Sequence, residues 1–290
     1  MTKAFGSTVA VDNLDLRVPV GALYGFIGPN GAGKTTTLRM IMSILFPDRG
    51  ELSVLGRPAA IEAKDRIGYL PEERGIYRKM KVGAFLTYMA RLKGVENFSA
   101  GKVAAWLDRL SLAGVQDKKC EELSKGMLQK VQLIAAVQHE PDLLILDEPF
   151  SGLDPMNMRL LRDLILAEHR RGATIIFSTH VMVHAEEICE HIVMLHKGRK
   201  VLDEDLTSIR RRHDPRALMF EPFDRGANAD VLARLEGVAA VARDGRMYRI
   251  DLREAADPVR VMRLVSDAIP PARLEVHRPS LEDIFIGLVT

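Results

Sequence analysis

A glycine-rich segment beside an apolar run constrains this chain more than any other feature of its sequence. It reads Gly28-Pro-Asn-Gly-Ala-Gly-Lys-Thr35, follows a mostly apolar stretch over 21–27, and opens a stretch with helical spacing over 34–46. The pattern G-x-x-x-x-G-K-[ST] between a strand and a helix is typical of a phosphate-binding loop, because the glycines let backbone N–H groups converge on phosphate oxygens. The dipole of the following helix also favours an anion. The segment therefore predicts a nucleotide-binding protein.

The side chains of this loop predict its individual contacts. Lys34 is expected to reach the β- and γ-phosphates, which makes it a candidate catalytic residue, and the hydroxyl of Thr35 is expected to bind Mg²⁺. The predicted cofactors are therefore ATP and Mg²⁺. The residues predicted to contact the nucleotide here are Gly28, Asn30, Gly31, Gly33, Lys34, Thr35 and Thr36.

Two adjacent acids end a second apolar run, Leu143-Leu-Ile-Leu-Asp147-Glu148. A short run of this kind is typical of a buried parallel strand, and open α/β sheets bind ligands at the carboxyl ends of their strands. Asp147 suits the Mg²⁺ shell, whereas Glu148 can orient or deprotonate the attacking water. Because adjacent side chains on a strand point apart, we expect the two acids to have different roles.

Strands alternate with helices over the first two hundred residues, which predicts an α/β core with a parallel sheet. Near its start, the alternating segment 14–18 also predicts a short strand. Residues 203–216 are mostly charged, a composition typical of a solvated linker. Beyond it the sequence predicts strand 217–222, helix 228–236, strands 238–243 and 246–252 about the turn Asp244-Gly245, helix 257–269, strand 273–277 and helix 281–289. This order predicts a small ferredoxin-like α+β domain. The predicted domains are 1–205 and 217–290, with the linker at 206–216.

Composition limits the classes of function. The formal net charge of +2 is too balanced to indicate a nucleic-acid partner, and two cysteines are too few for a disulfide framework. The sequence has no signal peptide and no apolar run near 18 residues. We therefore expect that the chain does not span a membrane, and that a separate polypeptide supplies any transport pathway.

Further motifs distinguish among proteins with such a loop. Leu123-Ser-Lys-Gly-Met127 precedes the acidic strand and resembles the signature motif of ABC transporter ATPase subunits. Ser151-Gly-Leu-Asp-Pro155 resembles their D-loop, and Tyr69-Leu-Pro-Glu72 occupies the place of their Q-loop. His180, after a predicted strand, resembles the switch histidine, and Phe5 matches the aromatic position that stacks on adenine. The resemblance covers residues 1 to about 205.

This resemblance implies a fold and a set of roles. The fold is an α/β P-loop NTPase of the ABC ATPase type, with a parallel sheet core, an antiparallel β subdomain and a helical subdomain. Ser124, Gly126 and Asp154 would contact nucleotide, Glu72 would contact Mg²⁺, and His180 would join Glu148 in catalysis. The family also implies a second ATPase subunit facing the first head to tail, and a membrane-spanning permease subunit that places the chain peripherally on the cytoplasmic face of the membrane.

A narrower resemblance is to the sodium-export-type subfamily. It rests on Tyr69-Leu-Pro-Glu-Glu-Arg-Gly75, on the Leu-Ser-Lys-Gly-Met form of the signature, on Val193-Met-Leu-His-Lys-Gly198, and on Pro279-Ser-Leu-Glu-Asp-Ile-Phe285 in the tail. It implies export, with the cargo left open among sodium, a drug, a lipid and a peptide. We expect residues 73–77 and the following helical segment to dock on the permease.

The sequence departs from the family pattern at three places. Glu72 stands where the Q-loop usually has glutamine, which makes a neutral Mg²⁺ contact a charged one. Lys125 replaces a signature glycine, while Ser124 and Gly126 keep the hydroxyl and the backbone N–H. Members of the family usually have a strand ahead of Lys3, so the resemblance implies a truncated or misassigned start.

Other ATPase and GTPase classes fit less well. The sequence lacks the Asn-Lys-x-Asp motif with which GTPases read their base, and only about ninety residues separate the phosphate loop from the signature, with no sustained heptads for a chromosome-type ATPase. Translation-linked ATPases usually carry two such cassettes in one chain. An ATP-dependent regulator without a membrane partner stays open as an alternative.

Overall fold

The computed structural model describes residues 1–72, 75–212, 217–224, 226–277 and 279–290. The chain divides into two compact units, Met1–Leu206 together with Val289, and Thr207–Leu288 together with Thr290. Two residues of the expected permease-docking segment 73–77, Glu73 and Arg74, lie outside the described residues.

The first unit is built on eight strands and six helices within the described residues. Its strands are β1 (Lys3–Phe5), β2 (Thr8–Val11), β3 (Leu23–Ile27), β4 (Ile67–Leu70), β5 (Leu143–Asp147), β6 (Thr174–Thr179), β7 (His191–His196) and β8 (Arg199–Asp205). Its helices are α1 (Lys34–Ile41), α2 (Val82–Leu92), α3 (Ala100–Arg109), α4 (Lys125–Val137), α5 (Pro155–Arg171) and α6 (Met182–Ile188), with 3₁₀ turns at Ala60–Arg66 and Cys120–Glu122.

Six of these strands form one sheet in the order β4-β5-β6-β3-β7-β8. All neighbours are parallel except β7 and β8, and β1 and β2 form a separate antiparallel pair. Every residue of β3 and of β5 is buried, as the apolar runs in both segments predict for strands covered on two faces. The structure thus confirms the predicted α/β core with its parallel sheet.

Two elements near the phosphate loop differ from expectation. Residues 14–18 keep the predicted alternation of buried and exposed side chains but form no strand. Leu14 exchanges two backbone hydrogen bonds with Met1, but no strand of the described residues pairs with the segment to extend this contact into a ladder. Helix α1 ends at Ile41 rather than near Phe46, since Ser43 adopts a left-handed backbone with φ of 55° that a helix cannot continue.

The second unit has the strand order expected of a ferredoxin-like domain. After helix α7 (Leu206–Arg212), it comprises β9 (Ala217–Pro222), a 3₁₀ turn at Ala229–Arg234, β10 (Val238–Asp244), β11 (Met247–Leu252), α8 (Pro258–Ala268), β12 (Pro271–His277) and α9 (Leu281–Val289). The sheet order is β10-β11-β9-β12 with every neighbour antiparallel, so the strand order and pairing of the predicted ferredoxin-like plan are confirmed.

Part of the predicted linker 206–216 forms helix α7, and 213–216 lie outside the described residues, so the linker itself stays a prediction. One predicted detail of this region is wrong. The segment predicted as a helix over 228–236 is a six-residue 3₁₀ turn, which ends before Gly237 with its left-handed φ of 87°.

Strand β4 lies so close to α4 that only glycine fits at one position. A Cβ atom on Gly68 would come within 2.1 Å of the Ala136 carbonyl oxygen and 2.9 Å of a Leu144 methyl group. We expect Gly68→Ala to lower the free energy of unfolding by roughly 1–3 kcal/mol, because the edge strand must move off the helix. Urea denaturation measures this. Gly101→Ala in α3 is the matched control, since its Cβ meets only open space and Ser99 Oγ at 3.8 Å, and should raise stability by about 0.5 kcal/mol.

Candidate functional site

The loop between β3 and α1 has the conformation that its glycines predict. Gly28, Gly31 and Gly33 all have positive φ, at 150°, 78° and 102°. A Cβ atom on Gly33 would lie 2.4 Å from the Ala10 carbonyl oxygen, so this residue must be glycine for reasons of space as well as of backbone conformation. The loop leads directly into α1, whose N-cap is Gly33.

Lys34 folds back over this loop. Its Nζ donates hydrogen bonds to the carbonyl oxygens of Gly28 at 2.7 Å and Pro29 at 3.1 Å. Burial lowers the pKa of Lys34, while the negative charges of Glu148, Asp147 and Glu72 oppose that shift, in this order. One buried cation therefore faces three carboxylates at the loop.

Three of these charged groups, those of Lys34, Glu72 and Glu148, line one depression with a volume of about 240 Å³. It is lined by Asn30, Gly31, Gly33, Lys34, Thr35, Thr36, Glu72 and Glu148. The structure thus brings most of the predicted phosphate-loop residues together with Glu72 and with Glu148, which directly follows β5. Because β5, β6 and β3 are adjacent and parallel, the groups at their carboxyl ends meet at the same edge of the sheet.

The carboxylate of Asp147 is buried and unsatisfied. It is 1% exposed, and neither of its oxygens has a hydrogen-bond partner among the described residues. Burial raises the pKa of Asp147, and the nearby hydroxyls of Ser178 and Thr35 act in the opposite direction without making hydrogen bonds of standard geometry. A buried carboxylate without donors suits a hard cation, because such a cation supplies the missing charge and coordination.

The donor set also fits Mg²⁺ rather than a fully protein-bound metal. The described residues contain no group of three His, Cys, Asp or Glu side chains that could hold an ion by themselves. Mg²⁺ is usually bound through one or two carboxylates, with substrate phosphates and water completing its shell. The hydroxyl of Thr35 and the carboxylates of Asp147 and Glu72 are consistent with that pattern.

Glu148, in contrast, is held by a full set of donors. One carboxylate oxygen lies 2.8 Å from the backbone nitrogen of His180 and 2.7 Å from its Nδ1, and the other accepts from Thr179 Oγ1 at 3.0 Å. The backbone of Glu148 is left-handed, with φ of 50°. For a residue with a side chain this costs about 1–3 kcal/mol, so the surroundings must impose it.

A second depression, of about 340 Å³, also has Glu148 in its wall. Its lining is largely polar and comprises Leu70, Pro71, Glu72, Lys125, Gln129, Gln132, Glu148 and Ser151. Lys125, Gln129 and Gln132 come from one face of α4, as their spacing of four and seven residues requires. Sequence reasoning missed Gln129 and Gln132, although glutamine at an otherwise apolar helical position indicates a buried polar contact.

Seven predicted site residues are not among those lining the depression at the phosphate loop: Phe5, Gly28, Ser124, Gly126, Asp147, Asp154 and His180. Ser124 is the exposed N-cap of α4, where its hydroxyl accepts from the Met127 N–H at 3.3 Å, and Gly126 follows in the first turn. Asp154 caps α5 by accepting from the Asn157 N–H at 2.9 Å. Phe5 is 49% exposed on β1, with Lys3 Nζ at 5.6 Å from its ring centroid.

Sequence reasoning also missed Thr179, which binds Glu148 through its hydroxyl. Its signal was available, since a polar residue at the carboxyl end of a buried parallel strand lies at the ligand edge of the sheet.

Among the helices of the described residues, none has both the length and the apolar character needed to cross a membrane.

Comparison with known families agrees with this geometry. The sequence pattern of the family described as "ABC transporter" matches residues 11–151. The pattern described as "ATP-binding protein DrrA1-3-like, C-terminal domain" matches residues 205–289. The two matches correspond to the phosphate-loop unit up to Ser151 and to nearly all of the second unit.

Individual proteins are similar in sequence to all or much of the chain. It is 43% identical to the ABC transporter ATP-binding protein YhaQ of Bacillus subtilis (strain 168), over 100% of this chain and 96% of that protein. It is 37% identical to the Nod factor export ATP-binding protein I of Burkholderia orbicola (strain AU 1054), over 69% of this chain and 67% of the relative.

Solved structures show the same fold. A structure described as the ATP binding subunit of an ABC transporter superposes with a TM-score of 0.67 at 30% identity, over 73% of this chain and 90% of the other. The dimeric cassette MJ0796 superposes with a TM-score of 0.63 at 21% identity, over 71% and 95%. The chain therefore belongs to the ATP-binding subunits of ABC transporters, the ATPases that power transport through a separate membrane subunit.

Proposed function

We propose that the depression at the phosphate loop holds ATP with Mg²⁺, and that this chain hydrolyses the bound ATP with Glu148 as general base. The observation that carries the proposal is the meeting of Lys34, Asp147 and Glu148 at one edge of the sheet. Backbone N–H groups of residues 30–33 and the start of α1 bind the phosphates, and Lys34 exchanges its carbonyl contacts for phosphate oxygens.

Thr35, Asp147 and Glu72 are the residues that would hold Mg²⁺. The ion would neutralise charge on the phosphate oxygens during hydrolysis. The orphaned oxygens of Asp147 support this assignment, because a buried carboxylate without donors is otherwise costly. Glu72 is exposed and lies beside Lys34 and Asp147, so its charge offsets that of the lysine where the family usually has a neutral glutamine.

Glu148 is placed to orient and deprotonate the attacking water. Its contacts with Thr179 and His180 hold the carboxylate towards the end of the sheet, and His180 joins it in catalysis by fixing its position. The adenine base, which the phosphate-loop depression does not enclose, is expected to contact an exposed residue. Phe5 offers an aromatic surface for adenine, since base–aromatic stacking needs an accessible ring.

Ser124, Gly126 and Asp154 serve the ATP of a second subunit. The first turn of α4 offers a hydroxyl and backbone N–H groups suited to an anion, yet it does not line the chain's own phosphate site. A second copy or a paralogue turned head to tail would bring this turn to the γ-phosphate. ATP then favours the closed dimer, and hydrolysis reopens it.

The membrane-spanning permease docks on an aromatic patch of the first unit, which places the chain on the cytoplasmic face of the membrane. This patch consists of Tyr77, Tyr88 and Leu92, which are 54%, 38% and 50% exposed. Tyr77 and Tyr88 meet edge to face at 5.6 Å, and Leu92 follows Tyr88 by one helical turn. An exposed apolar cluster of this kind is typical of an interaction surface. The likeness to Nod factor export proteins favours export.

Removing the base while keeping its shape tests the assignment of Glu148. We expect Glu148→Gln to lower kcat by about 10²–10⁴-fold with ATP binding retained, because the amide cannot accept a proton from water. Lys34→Ala should instead weaken ATP binding, as measured by calorimetry. Glu140→Gln is the matched control, since Glu140 is also a left-handed glutamate but is exposed elsewhere. Steady-state turnover near that of the unmodified chain in Glu148→Gln would contradict the assignment.

The composite site predicts a dimer that depends on ATP. In a Glu148→Gln background, ATP but not ADP should produce a dimer in size-exclusion chromatography with light scattering. Adding Ser124→Arg should abolish this dimer and leave ATP binding intact, because bulk and positive charge would occupy the shared phosphate position. Ser99→Arg is the control, since Ser99 caps α3 with the same 3.3 Å hydrogen bond as Ser124 makes in α4. A dimer that forms without ATP, or that tolerates Ser124→Arg, would rule out the composite site.

Truncating the aromatic patch should weaken membrane association and leave ATP hydrolysis unchanged. We expect Tyr77→Ala to reduce the fraction of the chain recovered with membranes from cells that express its permease, because part of the docking surface is lost. ATP turnover of the isolated chain should stay unchanged. Phe223→Ala is the control, since Phe223 is an aromatic residue of the second unit that is 79% exposed. Equal membrane recovery of both variants would remove Tyr77 from the docking surface.

A further inference from the structure

Helix α4 carries polar side chains on faces that the fold buries. Gln129, Lys130 and Gln138 are each at most 6% exposed. Each donates to the main-chain carbonyl of a different segment: Gln129 Nε2 to Pro149, Lys130 Nζ to Leu110 at 3.0 Å, and Gln138 Nε2 to Leu86 at 2.8 Å. Because a buried donor is costly unless it is bonded, these contacts specify where each segment lies relative to α4.

The contact of Gln129 differs from the other two because its acceptor, the Pro149 carbonyl, is next to Glu148 in the chain. Pro149 follows Glu148 directly and has no N–H, so its carbonyl is the main-chain polar group by which it can be held. On the other side, the Glu148 N–H donates to the Ser178 carbonyl oxygen at 2.9 Å. The left-handed backbone of Glu148 is therefore fixed at both ends, by β6 before it and by Gln129 after it.

The first turn of α4 lies along the same turn of chain. A Cβ atom on Gly152 would come within 2.5 Å of Lys125 Nζ, which shows how closely the lysine side chain crosses that residue. Lys125 and Gln129 are one helical turn apart and share a face of the helix. The segment 148–152 is thus braced against α4, and its position depends on contacts with that helix.

We infer that Gln129 is a positioning residue for Glu148. By holding the Pro149 carbonyl, it keeps the Glu148 backbone in the conformation from which the carboxylate reaches Thr179 and His180. Gln129 does not touch the reacting atoms. The inference rests on the proposed role of Glu148 as the base. It says that a buried glutamine of α4 determines the position of that base.

The test replaces each buried glutamine by methionine, which has similar length and helix propensity but no donor. Gln138→Met is the matched control, because Gln138, the C-cap residue of α4, has the same exposure and the same kind of bond, with its acceptor away from Glu148. We expect Gln129→Met to lower kcat roughly 10- to 100-fold, with the Kd for ATP and the Tm close to those of Gln138→Met. Gln138→Met should retain the kcat of the unmodified chain.

The double variant separates this inference from the function on which it rests. If Gln129 acts through Glu148, then Gln129→Met in a Glu148→Gln background should lower kcat no further. A full kcat in Glu148→Gln alone would overturn the proposed base itself. The inference about Gln129 would be overturned by an unchanged kcat, by an equal loss in Gln138→Met, by additive losses in the double variant, or by weakened ATP binding.

A second substitution covers the case in which the first protein does not fold. Gln129→Leu also removes the donor, and the same loss of kcat is expected from it. If neither Gln129 variant folds while Gln138→Met does, the bond serves stability rather than catalysis, and the inference is wrong.

Discussion

The parallel pairing of β3, β5 and β6 is the constraint on which the rest of this site depends. Ile27 pairs with Thr179 and Asp147 with Ser178, so three strands end level with one another. Their ends lead into the phosphate loop, the two acids and His180. Segments that are more than a hundred residues apart in the chain therefore reach one depression, because parallel strands in register present their carboxyl ends at one edge.

At this edge of the sheet, two adjacent acids have opposite environments. Asp147, on the last position of β5, is buried without donors, and its pKa is raised by that burial. Glu148, one residue later, has turned into a left-handed backbone and is bound by Thr179 and His180. The break in strand geometry between them gives the two carboxylates different surroundings, as their proposed roles require: one lacks partners that a cation could supply, and the other is already oriented.

The signature segment at the start of α4 is more exposed than the rest of that helix. The start of α4 is exposed at Ser124, whereas the same helix is anchored one turn later by the buried side chains of Gln129 and Lys130. An exposed helix start on a firmly bonded helix is suited to recognition, because little order is lost when a partner meets it. The fold thus provides an open surface at the start of a helix that buried hydrogen bonds hold in place.

The sequence by itself determined the class of the protein and most of its elements. Local patterns were sufficient for the phosphate loop, the acidic strand, the buried parallel strands and the four strands of the second unit, because each depends on contacts within a short segment or on hydrophobic periodicity. The Asp244-Gly245 hairpin is an example, since its turn chemistry is local. Resemblance to the family extended this to roles for residues such as His180.

Only the tertiary structure decided how those elements meet. Residues 14–18 alternate like a strand yet form none, because a strand requires a neighbour that periodicity cannot supply. Likewise, the bond from Gln129 to Pro149, the buried isolation of Asp147 and the absence of Ser124 from the lining of the phosphate-loop depression depend on contacts between distant segments. Such contacts leave no periodic signal, since their partners are set by packing rather than by spacing along the chain.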